Sequence, residues 1–308
     1  MAGLAATWTK IADSDLWWSF TRSKLIMASA AITLIFFLGA VGAPLIAPHD
    51  PFDLATLELS DAFLPPAWDA AAGTTKYLLG TDDQGRDVLS AIMYGARTSL
   101  LVGFLAVVFA MFLGIALGLI AGYVGGAVDA LIMRIADVQL SFPAILIAML
   151  VDGVSRGLLG SDKRDNSALV VLIIAIGLSY WVQYARTVRG SVLVEKNKEY
   201  VQAARVIGLP SFLIALRHVL PNVLGPVLVI ATINLALAII TEATLSFLGV
   251  GLPQTQPSLG TLINIGQKFL FSGEWWIAIF PGAALAILVL AVNLLGDWLR
   301  DALNPKLR

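Results

Sequence analysis

The sequence predicts an all-α integral membrane protein with six transmembrane helices, and three observations carry that prediction. Of its 308 residues 58% are hydrophobic and 13% charged, against roughly 45–50% and about 25% in soluble domains. Apolar runs of about 20 residues, the length that crosses a bilayer, recur along the chain. The cations are also divided unevenly between the alternate flanks of those runs. With the N-terminus inside, thirteen Lys and Arg fall on the inner side and seven on the outer, which places both termini in the cytoplasm.

Residues 1–24 form a cytoplasmic N-terminal segment, and 25–47 the first spanning helix. That run exceeds the 7–15 residues of a signal-peptide core and follows a polar, aromatic stretch, so it reads as a retained span. Residues 48–97 form an external segment. Within it, Gly80–Arg97 reads as an amphipathic helix: Thr81 and Gln84 match a capping box, and Asp82 and Asp83 suit the positive end of a helix. Val88, Leu89, Ile92 and Met93 share one face. The expectation is a helix lying along the outer membrane surface, with Asp82, Asp83 and Gln84 short of the ligand set of a calcium loop.

The core, 98–300, holds five further spans at 99–121, 128–151, 168–187, 223–247 and 276–296, with external loops near 152–167 and 248–275. The run 128–151 is the least regular, because Arg134 and Asp137 interrupt it. Gly114, Gly118 and Gly122 recur every four residues, a stripe for close helix packing. It serves either a partner chain or internal contacts. Residues 301–308 form a cytoplasmic tail.

Ionisable residues inside a bilayer are functional candidates. Arg134 and Asp137 lie three residues apart and are expected to pair on one helix face, with lining of the translocation path as the alternative. Asn234 and Glu242, eight apart, share nearly one face. They are read as lining a translocation path, with Glu242 near the outer end in reach of water.

Several function classes lack their residues. The chain has no cysteine, which removes thiolate metal sites and cysteine nucleophiles. The two histidines, His49 and His218, form no metalloprotease pattern, and no GxxxxGK[ST] phosphate loop or GxSxG elbow occurs. A net charge of −1 gives no basic surface for nucleic acid. No catalytic residue, cofactor or metal site is expected, so any driving energy comes from an ion gradient, from a partner, or from neither.

The one substantial inner loop is 188–222. Lys198 to Ile207 lacks Gly and Pro, Ala203 and Ala204 favour helix, and Gly208 with Pro210 marks its end. Ser211 reads as the N-cap of a second short helix that runs to Pro221. These residues alone fit either a connector lying on lipid headgroups or a docking element.

The spacing Gln202-Ala203-Ala204, three residues, Gly208, nine residues, then His218, Val219 and Leu220-Pro221 resembles the EAA loop of ABC importer permeases. The chain departs from that pattern at Gln202, where Glu is usual, and at His218, where Ile is usual. LLGTDDQGRDVLSAIMYGARTSL (78–100), AGYVGGAVDALIMRIADV (121–138) and NLLGDWLRDALNPKLR (293–308) resemble the dipeptide/oligopeptide/nickel branch of the same family, most of all the second permease subunit of dipeptide importers.

The resemblance implies a type I ABC importer permease fold. It implies a cytoplasmic coupling helix formed by Glu199, Tyr200, Gln202, Ala203, Ala204, Arg205, Gly208, Leu209 and Pro210. Its partners would be a homologous second permease, two ABC ATPase subunits that hold the ATP and Mg, and an external solute-binding protein. The setting would be the lipid bilayer of a bacterial inner membrane, and the cargo short peptides or, in other branches, nickel, glutathione or another small solute. The competing class, an ion-coupled secondary transporter, requires carboxylates on broken helices at mid-membrane, and no convincing set is present.

Overall fold

The computed structural model describes residues 15–303 except 52, 54–56, 70–74 and 254–255. Most of the N-terminal segment and the end of the 301–308 tail therefore lie outside the described residues. Among those described, every regular element is helical: α1 (Asp15–Arg22), α2 (Lys24–Val41), α3 (Ala43–Ile46), α4 (Val88–Val124), α5 (Gly126–Leu140), α6 (Ala144–Glu195), α7 (Glu199–Val206), α8 (Ser211–Ile214), α9 (Leu220–Phe247), α10 (Leu259–Gly266) and α11 (Trp276–Leu303).

Five helical stretches are long and apolar enough to span: Lys24–Val41, Val88–Val124, Ser167–Glu195, Ser211–Phe247 and Trp276–Ala302. The sixth expected span is not a straight helix. Gly126–Leu140 and Ala144–Ser155 meet at 98°, because Pro143 has no amide to continue the ladder and disfavours helix at Phe142. Helical backbone is continuous over α6, yet α6 is not one rod. Ser179 Oγ donates to Ala144 O at 3.0 Å, whereas 35 residues of straight helix would part them by ~52 Å. The arms Ala144–Ser155 and Ser167–Glu195 therefore fold back on each other. The chain reverses where the sequence predicts an external loop, through helical backbone.

The expected surface helix at 80–97 also differs. Thr81 does not cap it: its hydroxyl donates to Asp61 O at 2.5 Å and its backbone bridges to Asp87. Asp82 organises the turn instead, accepting from Gln84 N, Arg86 N and Arg86 Nε. The helix begins at Val88 with Asp87 as N-cap, and it runs unbroken into the second span. Asp87 holds the capping role because it directly precedes Val88 and accepts from Ser90 N at 3.0 Å.

The α4–α6 contact is the most extensive in the molecule. The glycine stripe makes it: a Cβ at Gly114 would lie 2.4 Å from Tyr184 Cβ, and one at Gly118 2.5 Å from Ala185 O. The stripe thus serves internal packing. Trp276 Nε1 donates to Thr81 O at 3.0 Å, so Thr81 and the turn that follows it lie at the start of α11. At the other end of α11, Trp298 Nε1 donates to Ser19 Oγ at 3.3 Å, and Thr232 and Gly296 meet where α9 rises from the inner loop. The N-terminal helix, the end of α11 and the 188–222 loop consequently share one side.

Candidate functional site

Glu199–Val206 is helical, with Glu199 in its first turn and Arg205 in its last, the arrangement that complements the helix dipole. Its end is a Schellman motif: Gly208 N donates to Arg205 O and Leu209 N to Ala204 O, with Gly208 at φ +87° in the left-handed conformation that glycine adopts without penalty. Pro210 then precedes Ser211, so the cap of α8 is Pro210 and not the expected Ser211 side chain.

The helix is braced from both sides. Tyr200 hydroxyl donates to Glu195 Oε2 at 2.6 Å and accepts from Asn222 Nδ2 at 3.1 Å, so one phenol joins the end of α6 to the start of α9. Burial, and then the Glu195 carboxylate, hold that phenol above its ordinary pKa, which keeps it a donor through the physiological range. Lys198 Nζ pairs with Glu195 Oε1 at 2.6 Å, and Gln202 Nε2 donates to Asn197 O at 3.1 Å. Lys196 Nζ reaches Gly122 O at 2.7 Å, which satisfies a carbonyl at the open end of α4.

The two alanines divide the helix. Val201 and Ala204 are buried in the same apolar cluster as Val188, Val192, Ile214 and Val219. Ala203, Arg205 and Gly208 face out, beside Val206 at 89% and Ile207 at 78% exposed. Sequence reasoning missed Val206, Ile207 and Phe212, which is also exposed. Large apolar residues beside a helix-ending glycine in a polar loop were the available signal.

Pro221 does not end the second short helix. Ala215–Val219 widens into a π-turn, and the helix continues through Pro221 into α9, giving one stretch from Ser211 to Phe247. A proline ring clashes with the carbonyl four residues earlier, here Arg217, and an i→i+5 turn relieves that clash.

The intramembrane candidates separate. Asp137 accepts from Arg186 Nη2 instead of pairing with Arg134. Asp129 binds Arg189 through both carboxylate oxygens. Both bonds fasten α5 to α6, because the bend at Pro143 lays α5 along the inner half of α6 and presents its acids to that helix. Gln139 completes the seam, accepting from Trp181 Nε1 at 2.6 Å and donating to Leu178 O.

Asn234 and Glu242 face inward together, at 1% and 0% exposed. Glu242 is therefore not in reach of water. Its carboxylate accepts from Ser99 Oγ at 2.6 Å and Ser246 Oγ at 2.7 Å. Ser99 Oγ in turn accepts from Leu259 N. The group joins α4, α9 and α10 through Ser99, a partner 143 residues away that sequence spacing could not reveal. Among the described residues no group of three or more metal-ligating side chains occurs.

Two family models match the chain. Residues 114–308 match the binding-protein-dependent transport system inner membrane component, and residues 14–66 match the N-terminal TM domain of oligopeptide transport permease C. The Escherichia coli K12 dipeptide transport system permease protein DppC is 42% identical, over 96% of this chain and 93% of its own length. The Haemophilus influenzae DppC is 38% identical over 96% and 95%, and the di/tripeptide permease DppC of Pseudomonas aeruginosa 37% over 96% and 92%. Among solved structures, a chain of the inward-facing MetNI methionine ABC transporter superimposes with a TM-score of 0.53 at 19% identity, over 70% of this chain and 96% of that one, which establishes the fold. With one family model spanning 114–308 and relatives alike over nearly their whole length, the chain belongs to the family of inner membrane components of binding-protein-dependent transport systems, as a permease and not an enzyme.

Proposed function

We propose that this permease forms, with a homologous second permease, the path by which a bacterial inner membrane takes up short peptides. Two ABC ATPase subunits bind and hydrolyse ATP with Mg below it, and an external solute-binding protein delivers the cargo. Both termini and the 188–222 loop face the cytoplasm. The observation that carries the reading is α7: a short capped helix, rigidly braced by Tyr200 between two spans, with an apolar outer face at Val206 and Ile207 that no described residue covers. A helix so held transmits a push from an ATPase groove to α6 and α9 as a rigid body. The names of the relatives support the peptide cargo.

Arg134, exposed on α5, and Asp137 beside it are candidates for the translocation face. Asn234 and Glu242, sealed inside, hold the helices that form it. The test is reconstitution in vesicles with the second permease, ATPases and binding protein. ATP-dependent entry of labelled dipeptide is expected; uptake driven by an ion gradient with this chain alone would overturn the assignment.

A further inference from the structure

The first span is held loosely: only 11% of its apolar window is buried. Beside it, a groove of about 290 Å³ runs between α2 and α4, lined by Phe37, Val41, Leu100, Leu101, Phe104 and Arg97. Its apolar walls are exposed, with Phe37 at 54%, Leu101 at 42% and Phe104 at 58%. Arg97 is exposed as well, and it makes no ion pair with any described residue. Its depth follows from His49 N donating to Ser90 Oγ: His49 lies eight residues beyond Val41, where α2 ends, so residue 90 lies outside the first span. Arg97 lies seven residues further along, ~10 Å deeper, at the rim of the hydrocarbon on the side of the 48–97 segment.

An unpaired guanidinium at that depth, above a groove open to lipid, lacks an anion, and a bilayer offers phosphate there. A guanidinium suits a phosphodiester because its donors match the oxygen geometry. The groove walls below it suit an acyl chain. We propose that the α2–α4 groove is a binding site for an anionic phospholipid, its phosphate on Arg97 and one chain lying along Val41, Leu101 and Phe104. The lipid then acts as packing material between the first span and the core. This inference stands apart from the transported substrate.

The test is native mass spectrometry of the full-length chain in its assembled complex, released from nanodiscs of phosphatidylglycerol and phosphatidylethanolamine. Wild type is expected to retain phosphatidylglycerol. Arg97→Gln should retain about fivefold less, the equivalent of one basic contact to an anionic surface, and Arg97→Lys should restore most of it. Lys268→Gln, which removes an exposed cation outside the groove, should leave phosphatidylglycerol retention unchanged. Equal retention by wild type and Arg97→Gln would overturn the proposal. So would efficient cross-linking of Leu101→Cys, the sole cysteine in such a variant, to the second permease, because a protein would then cover the groove. If Arg97→Gln fails to assemble, loss of retention in Phe104→Ser with Arg97 intact tests the same site, and unchanged retention there overturns it.

Discussion

Gly208 combines two demands that no other residue type meets so cheaply. It takes a left-handed conformation and closes the two backbone bonds that end α7. A Cβ there would meet nothing within 4 Å among the described residues, so the intramolecular cost of substitution is the conformational one, ~1–2 kcal/mol. Gly208→Val is expected to insert and assemble normally, while ATP hydrolysis proceeds without transport; coupled transport at the wild-type ratio would contradict the role given to α7. Glu242 makes the opposite case, since its contacts are all internal. Glu242→Ala orphans the buried Ser99 and Ser246 hydroxyls on α4 and α9, each costing about 1–3 kcal/mol. The expected outcome is a lower melting temperature in detergent with an unchanged half-saturation for peptide. A changed half-saturation at constant melting temperature would instead place Glu242 on the path.

At the scale of elements, the α4–α6 seam depends on glycine allowing backbone contact. Gly114→Leu pushes a side chain into Tyr184 and the Trp181 carbonyl. Overpacking costs about 1–3 kcal/mol or more, so reduced yield of folded protein is expected, measured by gel filtration in detergent. The external ledge has its own test. Asp61 accepts from Tyr77 hydroxyl at 2.6 Å and Lys76 Nζ at 3.1 Å, and those two bonds, Tyr77 first, hold its carboxyl below the ordinary value of 3.8. A depressed carboxylate stabilises above its unfolded pKa, and the contribution disappears as pH falls through the lower folded value. Hydrogen-exchange protection of residues 59–69 and 75–81, corrected for intrinsic rates, should hold from neutral pH down to the 3.8 of a free aspartate and fall below it. Protection already lost near pH 6 would assign the knot to another group.

For the whole molecule, the geometry groups the N-terminal helix, the 188–222 loop and the end of α11 on one side, opposite the turn at Thr81. The absence of native cysteine makes this directly measurable. In spheroplasts, a membrane-impermeant maleimide should label Glu58→Cys and leave Gln202→Cys unlabelled until the membrane is opened. The reverse pattern would invert the topology. The exposed apolar faces of α7 and the spans also predict that the assembled complex melts higher than the isolated chain, since partners that bind only the folded form stabilise it.

By itself, the sequence determined the membrane class, the five straight spans, the short capped helix at 199–206 and the family resemblance. These rest on local properties: apolar run length, the left-handed demand at Gly208, and spacing within one loop. Only the tertiary structure decided the rest. The glycine stripe became an internal seam because α6 folds back to meet it. Asp137 chose Arg186 over Arg134 because the bend at Pro143 laid α5 against another helix. Glu242 was closed off from water because Ser99, 143 residues upstream, converges on it and in turn holds Leu259 N of α10. In each case the deciding partner is distant along the chain, and burial of a polar or crowded group is settled by whichever neighbour packing brings, not by its spacing in sequence.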